Sequence, residues 1–285
     1  MLQTHGPLLA QDEFAFTDND FNLISDLVLD KTGIVLREEK RPLVYSRLTK
    51  RLRQLKLTNF KDYCQLVMSE KGQNELPSLI NAITTNLTRF FREDHHFDHL
   101  KNELVPQIVK RYHEHPCPEN KRVRIWSAGC SSGEEPHTIA MTLADCLPNG
   151  FDLKILATDV DTNMISHASA GIYADIKGIP DKFVHAYVNK LGPEKYEIKK
   201  NIRDLITFKP LNLLEYWPMK GPFDAIFCRN VVIYFNKETQ ATLFGRMAEL
   251  MEEGRWLYIG HSENLFRVTD KFQLMGRTIY RRNNL

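Results

Sequence analysis

Arg122-Val-Arg-Ile-Trp-Ser-Ala-Gly-Cys-Ser-Ser-Gly-Glu-Glu-Pro136 holds a strand, a glycine turn and the start of a helix. Arg122–Ser127 is β-branched and apolar enough for a buried strand, and Glu134–Cys146 has helical spacing. Gly129 and Gly133 fall between them, where a backbone turns tightly and approaches a ligand closely. The dinucleotide fingerprint G-x-G-x-x-G is absent. Glu134 and Glu135 stand where a pyrophosphate site avoids negative charge, so a phosphate ligand is not expected at this helix start. An acid there suits a cationic group, such as the amino group of a methionyl moiety.

Downstream, strand and helix keep alternating. Leu153–Thr158 reads as a buried strand, Asp161–Ala170 as a short helix, and Phe223–Cys228 and Trp256–Ile259 as further strands. A long helix, Lys237–Glu252, stops at Gly254, and Thr278–Arg281 reads as a late antiparallel strand. This grammar predicts a mostly parallel α/β sheet with crossover helices. The rhythm breaks between Ile172 and Phe208, where Tyr196–Lys199 and Leu205–Phe208 read as strands. Residues 172–203 are therefore expected to form a small inserted subdomain. Asp159 ends the second strand, close to where an acid reads ribose hydroxyls in such folds. On position alone Asp159 and Asp161 serve equally well as helix caps.

Upstream, the text is helical. Residues 1–16 carry no pattern and are expected to be a flexible arm. Thr17 or Asp18 caps a helix with Phe21, Ile24, Leu27 and Val28 on one face, ended by Gly33. A second helix, Glu38–Lys56, has a stripe of Val44, Leu48, Leu52 and Leu55, with Arg47, Lys50 and Arg51 on another face beside Arg53 and Lys56. Patterns at 59–69 and 75–85 complete an all-helical domain, 17–86. Residues 87–121 form a linker and a helix from Glu93 to His113, and 122–285 the α/β domain.

The chain has 285 residues, 42% hydrophobic and 26% charged, with net charge +2. That is enough to bury two cores, and the global charge argues neither for nucleic acid nor for a membrane surface. The five scattered cysteines form no C-x-x-C pair, which fits a reducing compartment rather than a disulfide frame or zinc cluster. No signal-peptide pattern opens the sequence and no stretch reaches the ~20 apolar residues of a membrane span. A cytoplasmic protein is expected.

Several segments together resemble the CheR family of chemotaxis receptor methyltransferases. They are Thr85-Asn-Leu-Thr-Arg-Phe-Phe-Arg-Glu93, Ser127–Pro136, Ala157-Thr-Asp-Val-Asp161, Asn212-Leu213, Phe227-Cys-Arg-Asn-Val-Val-Ile-Tyr-Phe235 and Gly260-His-Ser-Glu263. The resemblance runs from Phe21 to Tyr280 and is specific only as a set. It implies a Rossmann-like class I methyltransferase domain, a mostly parallel doubly wound sheet, preceded by an all-helical substrate-recognition domain and carrying a small inserted β-subdomain. It implies S-adenosyl-L-methionine as methyl donor, with S-adenosyl-L-homocysteine as product. Carried over by position, Asn86, Thr88, Arg92, Glu135, Asp159, Asn212, Leu213, Arg229 and Asn230 line the cofactor site. Asp159 holds the ribose, Asn212 and Leu213 lie by the adenine, and Arg92 and Tyr234 are nearest the chemistry. The partner implied is the cytoplasmic helical domain of methyl-accepting receptors, with recruitment to receptor clusters, no nucleic acid, no membrane insertion, and a monomeric enzyme.

The reaction implied is in-line methyl transfer to a glutamate carboxylate. With a reference pKa of about 4.3 that carboxylate is already ionised at neutral pH, so positioning and exclusion of water carry the catalysis. Arg92 orients the carboxylate and Tyr234 donates a hydrogen bond to it. Taken alone, Arg92 reads rather as a helix-end charge paired with Glu93 or Asp94, and Tyr234 equally as a half-buried aromatic. Phe90 and Phe91 read as packing, as do Cys130 and Cys228, which have no neighbour to activate a thiolate. His95 and His99 are spaced i, i+4, but no third metal ligand is legible, so no metal is expected.

The basic face of Arg47, Lys50, Arg51 and Arg53 is either a solvated helix surface or a docking face for an acidic receptor bundle. Some relatives grip a receptor C-terminal tether through a glycine-containing loop of the inserted subdomain. Tyr187-Val-Asn-Lys-Leu-Gly-Pro-Glu-Lys-Tyr196 has only Gly192 and is shorter, so tether independence is expected. Three other classes compete. A nucleic-acid amino-methyltransferase calls for Asn/Asp-Pro-Pro-aromatic where Arg229-Asn-Val-Val-Ile-Tyr stands. A cofactor-binding sensor module is separated by turnover, and a dehydrogenase lacks its phosphate fingerprint.

Overall fold

The computed structural model describes residues 13–283, without the side chains of residues 71 and 73. Two compact units divide the chain: one runs to Lys31 and resumes over Val35–Ile83, the other holds Thr32–Ile34 and everything from Thr84.

The first unit is helical. α1 (Asp18–Thr32) starts on a reciprocal cap: Thr17 Oγ1 accepts from the Asp20 N–H at 3.2 Å, and Asp20 Oδ2 accepts from the Thr17 N–H at 3.0 Å. α2 (Arg41–Leu55) follows a 3-10 turn and ends at Lys56 in the left-handed region. α3 (Phe60–Met68) is capped by the Asn59 side chain, and α4 is Leu76–Ile83. Ile24, Val44, Leu48, Leu52, Phe60, Tyr63 and Leu79 are buried. Most of the expected arm, 1–16, lies outside the described residues. Its last residues are held rather than loose: Phe16 packs on Phe60 with ring centroids 4.3 Å apart, and the Phe14 N–H donates to the Tyr45 hydroxyl at 3.2 Å.

In the second unit the helix expected over 93–113 is three pieces. Glu93 has φ +59° and cannot begin it, so α5 is His95–His99. A π turn over Leu100–Leu104 follows, then α6 (Val105–Glu114), where Pro106 has no N–H to continue the ladder. The α/β core follows in order: β1 (Arg122–Ala128), α7 (Glu134–Cys146), β2 (Asp152–Asp159) and α8 (Thr162–Ala170). The insertion holds β3 (Ile172–Tyr173), α9 (Asp181–Tyr187), β4 (Val188–Gly192), β5 (Lys195–Ile198) and α10 (Lys200–Arg203). The chain then gives β6 (Ile206–Pro210), β7 (Ala225–Cys228), α11 (Lys237–Glu249), β8 (Trp256–Ile259), β9 (Phe272–Gly276) and β10 (Ile279–Arg282).

Seven strands form the main sheet in the order β6-β2-β1-β7-β8-β10-β9. The first five are parallel, β10 runs antiparallel to β8, and β9 runs antiparallel to β10. β1 is buried on both faces from Ile125 onward, as a covered parallel strand must be. Ile125 and Phe227 pack on the side of Ile139, Leu143 and Phe97; Trp126 and Ile226 pack on the side of Leu243, Phe244 and Met247. The order reverses between β1 and β7, so the loops at their C-terminal ends open the crevice where such sheets bind ligands. The inserted strands form their own sheet, β3-β5-β4. Three strands were not legible in the sequence: β3 has only two residues, and β4 and β9 are edges with mostly exposed residues.

Candidate functional site

Four segments meet at the C-terminal ends of β1, β2 and β7. The glycine turn after β1 folds back on β2: the N–H groups of Gly129 and Cys130 both donate to Thr158 O, at 2.8 and 2.9 Å. Gly129 (φ +83°) and Gly133 (φ +97°) occupy the left-handed region. A Cβ on Gly129 would stand 2.3 Å from Val231 Cγ2, and one on Gly133 2.6 Å from Ala168 Cβ. Both positions therefore demand glycine twice over, by backbone conformation and by space.

Asp159 closes this turn. Its Oδ2 accepts the Ser131 N–H at 2.8 Å and its Oδ1 the Asp161 N–H at 2.9 Å. Burial pushes its carboxyl up and these backbone donors oppose the shift. The Val160 N–H also bears on this carboxylate, which leaves it one of about four acceptor positions. Asp161, which the sequence left as cap or ligand, is the α8 cap: its Oδ1 accepts from the N–H groups of Asn163 and Met164. Its other oxygen accepts from Thr84 Oγ1 at 2.8 Å and Asn86 Nδ2 at 2.9 Å. The Ser131 hydroxyl donates to Asn86 O at 3.2 Å, so Asn86 and the glycine turn are joined.

Arg229 organises the next layer. It ends β7 with a side chain only 2% exposed. Nη1 donates to Glu135 Oε2 at 2.9 Å, Nη2 lies 3.3 Å from Glu93 Oε2, and Nη2 also donates to the Arg92 carbonyl. Glu135 Oε1 accepts from Ser127 Oγ at 2.7 Å. Burial pushes the Glu135 carboxyl up against the pull of Arg229. Burial also works against ionised Glu93, but Arg229 and His261 overcome it and hold that carboxyl below the usual range. His261 Nδ1 is 2.9 Å from Glu93 Oε1. The Arg92 guanidinium donates to Leu87 O at 2.8 Å, with Nε 4.0 Å from Glu93. Thr88 is half-buried in the same segment.

Asn212 and Leu213 follow β6. The Leu211 N–H donates to Asp159 O at 2.9 Å, which brings their segment to the crevice edge. Asn212 Oδ1 accepts from the Leu214 N–H at 3.0 Å, and Leu213 is buried. Tyr234 is half-buried in the 3-10 turn Val232–Tyr234. Asn230 has φ +60°, and its N–H donates to Glu263 Oε2 at 2.9 Å. Glu93, Ser127, Ser131 and Glu263 carry no role in the sequence reading. Each lies in one of the segments quoted for the family resemblance, but its partner is a backbone group or a residue that the fold brings beside it.

Other expectations resolve into packing. Phe90 meets Tyr173 edge-on and Phe91 stacks on Phe183. Cys130 and Cys228 are buried and their thiols are pushed well up, so they stay protonated. His99 Nδ1 meets the Tyr258 hydroxyl at 2.9 Å. A cavity of about 400 Å³ at the opposite, N-terminal edge of the strands is lined by Arg111, Arg124, Lys220, Asp224 and Arg255. Asp224 already engages Arg111 at 2.7 Å and Arg255 at 3.5 Å, and ligands of parallel sheets bind at the other edge.

In the helical unit the basic face divides. Arg51 makes a two-pronged pair with Glu75, at 2.9 and 2.6 Å, and Tyr63 OH donates to the same carboxylate. Arg47 donates to the carbonyls of Ala82 and Ile83 at the end of α4. Arg53 pairs with Glu13 and is exposed, as are Lys50 and Lys56.

The site's residues fit an adenosyl sulfonium: a glycine turn too tight for a side chain, an acid at the end of β2, and no phosphate cradle. Comparison with known proteins points to the same cofactor. Residues 86–281 match the model of the CheR methyltransferase SAM-binding domain, and 19–84 that of the CheR methyltransferase all-alpha domain. A probable chemotaxis protein methyltransferase of Rhizobium etli is 42% identical over 90% of this chain and 96% of its own length. The chemotaxis protein methyltransferase of Escherichia coli is 39% identical over 98% and 96%. Chemotaxis protein methyltransferase 2 of Pseudomonas aeruginosa is 39% identical over 97% and 98%.

Proposed function

The chain belongs to the CheR methyltransferase family, and from that premise we propose that it methylates glutamate side chains of methyl-accepting chemotaxis receptors, forming methyl esters. The observation that carries this reading is the interlock of the 86–93 segment with the glycine turn and the end of β7, through Asn86–Ser131, Glu93–Arg229 and Arg229–Glu135. Together they wall the end of the sheet where an S-adenosylmethionine binds.

When bound, the cofactor supplies an electrophilic methyl carbon on a sulfonium. The remaining acceptor position of Asp159 holds the ribose, and Asn212 and Leu213 border the adenine. Glu135 and Arg229 set the polarity around the methionyl end, with Asn86, Thr88 and Asn230 completing the wall. The substrate glutamate arrives ionised, so no general base is required. Arg92 turns the carboxylate oxygen toward the methyl carbon, and Tyr234 donates a hydrogen bond that aligns it. Arg92 must orient rather than clamp, since tight pairing would quench the nucleophile. Its hydrogen bond to Leu87 O supports that restraint.

The helical unit docks the cytoplasmic helical domain of the receptor, with Lys50 and Arg53 offering exposed charge and Arg47 and Arg51 holding the surface in shape. The enzyme acts as a cytoplasmic monomer recruited to receptor clusters. Among the described residues no helix is long and apolar enough to cross a membrane, which is compatible with that placement. The β4–β5 hairpin closes over Pro193 and Glu194 alone, which supports independence from a receptor C-terminal tether.

The test is incubation with labelled S-adenosylmethionine and receptor-containing membranes. Base-labile label released as methanol is expected, and base-stable label or transfer into nucleic acid would refute the reading. Calorimetric binding of a receptor C-terminal pentapeptide would overturn tether independence.

A further inference from the structure

Gly260-His-Ser-Glu263 follows β8, and none of the proposed roles uses Glu263. Its carboxylate is 6% exposed. Oε2 accepts the N–H groups of Asn230 and Gly260, and Oε1 accepts the Val232 N–H at 3.0 Å. A single buried carboxylate thus gathers backbone donors from both loops that end β7 and β8. The segment it holds runs from Asn230 into the Val232–Tyr234 turn. That segment is unusual in itself, because Asn230 takes φ +60° in the left-handed region. Asn230 in the left-handed region followed by Val231 in the right-handed one turns the N–H groups of Asn230 and Val232 toward one anion, a nest that would otherwise leave buried donors unpaired. Gly260 completes the fit: a Cβ there would lie 2.3 Å from Asn230 Nδ2 and 2.8 Å from its backbone nitrogen.

We propose that Glu263 is a positioning residue for methyl transfer, holding Asn230 and the Tyr234 turn through their backbone without touching either reactant. This rests on the assignment of Asn230 and Tyr234 above. A carboxylate suits the task because it has only acceptors, two oxygens for several N–H groups. An amide in its place turns one oxygen into a donor facing N–H groups, so the turn must shift. A displacement of about 1 Å at an aligning group can cost on the order of 100-fold in rate.

The experiment is a double-mutant cycle on receptor methylation with Glu263→Gln and Tyr234→Phe, with cofactor-product affinity measured calorimetrically for each protein. Glu263→Gln is expected to lower kcat by tenfold or more with receptor KM little changed. In the Tyr234→Phe background it should cost less than about threefold more, because the group it aligns is already gone. A purely structural glutamate predicts the opposite: the two losses multiply, and kcat tracks the folded fraction. That outcome, or wild-type kcat in Glu263→Gln, overturns the proposal. If Glu263→Gln does not fold, the same cycle with Glu263→Asp keeps a carboxylate at shorter reach and the same two outcomes decide. Wild-type protein run alongside separates the two levels: no ester formation by wild type defeats the functional reading, whereas active wild type with multiplying losses defeats only the role of Glu263.

Discussion

Arg229 Nη1 stands 2.9 Å from Glu135 Oε2, joining the end of β7 to the first turn of α7 across the sheet's reversal point. The pair is buried, and the second arm of the same guanidinium reaches Glu93. Two carboxylates of the crevice therefore depend on one cation.

Replacing that cation should be costly. Arg229→Met leaves buried Glu135 with only the Ser127 hydroxyl and strips Glu93 to its His261 contact, a loss of about 3–5 kcal/mol by analogy with broken buried pairs. Urea denaturation should register it. Adding Glu135→Gln to Arg229→Met should restore part of the stability, whereas the same change alone should destabilise.

The glycine turn gives a separable clash. Gly129→Ala should abolish measurable binding of S-adenosylhomocysteine in calorimetry, because the new methyl meets Val231 Cγ2 at 2.3 Å. Gly129→Ala with Val231→Ala removes the contact and leaves the left-handed backbone cost, about 1–2 kcal/mol. The double variant should recover binding to within roughly tenfold of Val231→Ala.

Arg92→Ala and Tyr234→Phe should lower kcat by about 10²-fold, the scale of one lost transition-state hydrogen-bond donor. Thermal midpoints should stay close to wild type. For Tyr234→Phe, cofactor-product affinity should also be unchanged, since its proposed contact is with the substrate. Wild-type turnover in both variants would remove the two assignments.

On α2, Lys50→Glu with Arg53→Glu should raise receptor KM and flatten its dependence on salt, with cofactor affinity intact. Arg51→Glu should behave differently. It sets a carboxylate against buried Glu75 and should unfold the helical unit, seen as a loss of helical signal and not as a pure KM effect.

Stability should fall on mild acidification. His137 is fully buried, and burial pushes it down to about 4 from 6.5. Its Nδ1 meets Gly133 O at 2.8 Å, while Nε2 is buried without a partner to receive a second proton. Burial pushes His96 down further, to about 2. Both histidines bind protons more readily in the unfolded chain. Their contribution is complete above pH 6.5 and is lost as pH falls below it, by up to about 1.4 kcal/mol per pH unit for each histidine. Urea titrations between pH 7 and 4.5 should show this slope, and His137→Asn should reduce it. A slope left unchanged by His137→Asn would refute the assignment.

What the sequence determined by itself was local. Period-2 and helical spacing marked β1, α7, β2 and α11, and Gly129 and Gly133 marked the turn, because backbone conformation and burial pattern depend on neighbours along the chain. Tertiary structure alone decided what depends on residues brought together from afar. The 93–113 helix broke because Glu93 answers to Arg229 and His261 instead of to a helix start. Arg51, on the same face as Lys50, became a structural pair because Glu75 returns beside it. Glu263 found two of its donors, the N–H groups of Asn230 and Val232, more than thirty residues earlier. A buried carboxylate is matched by donors in space, and no pattern of residue types along the chain records where those donors will be.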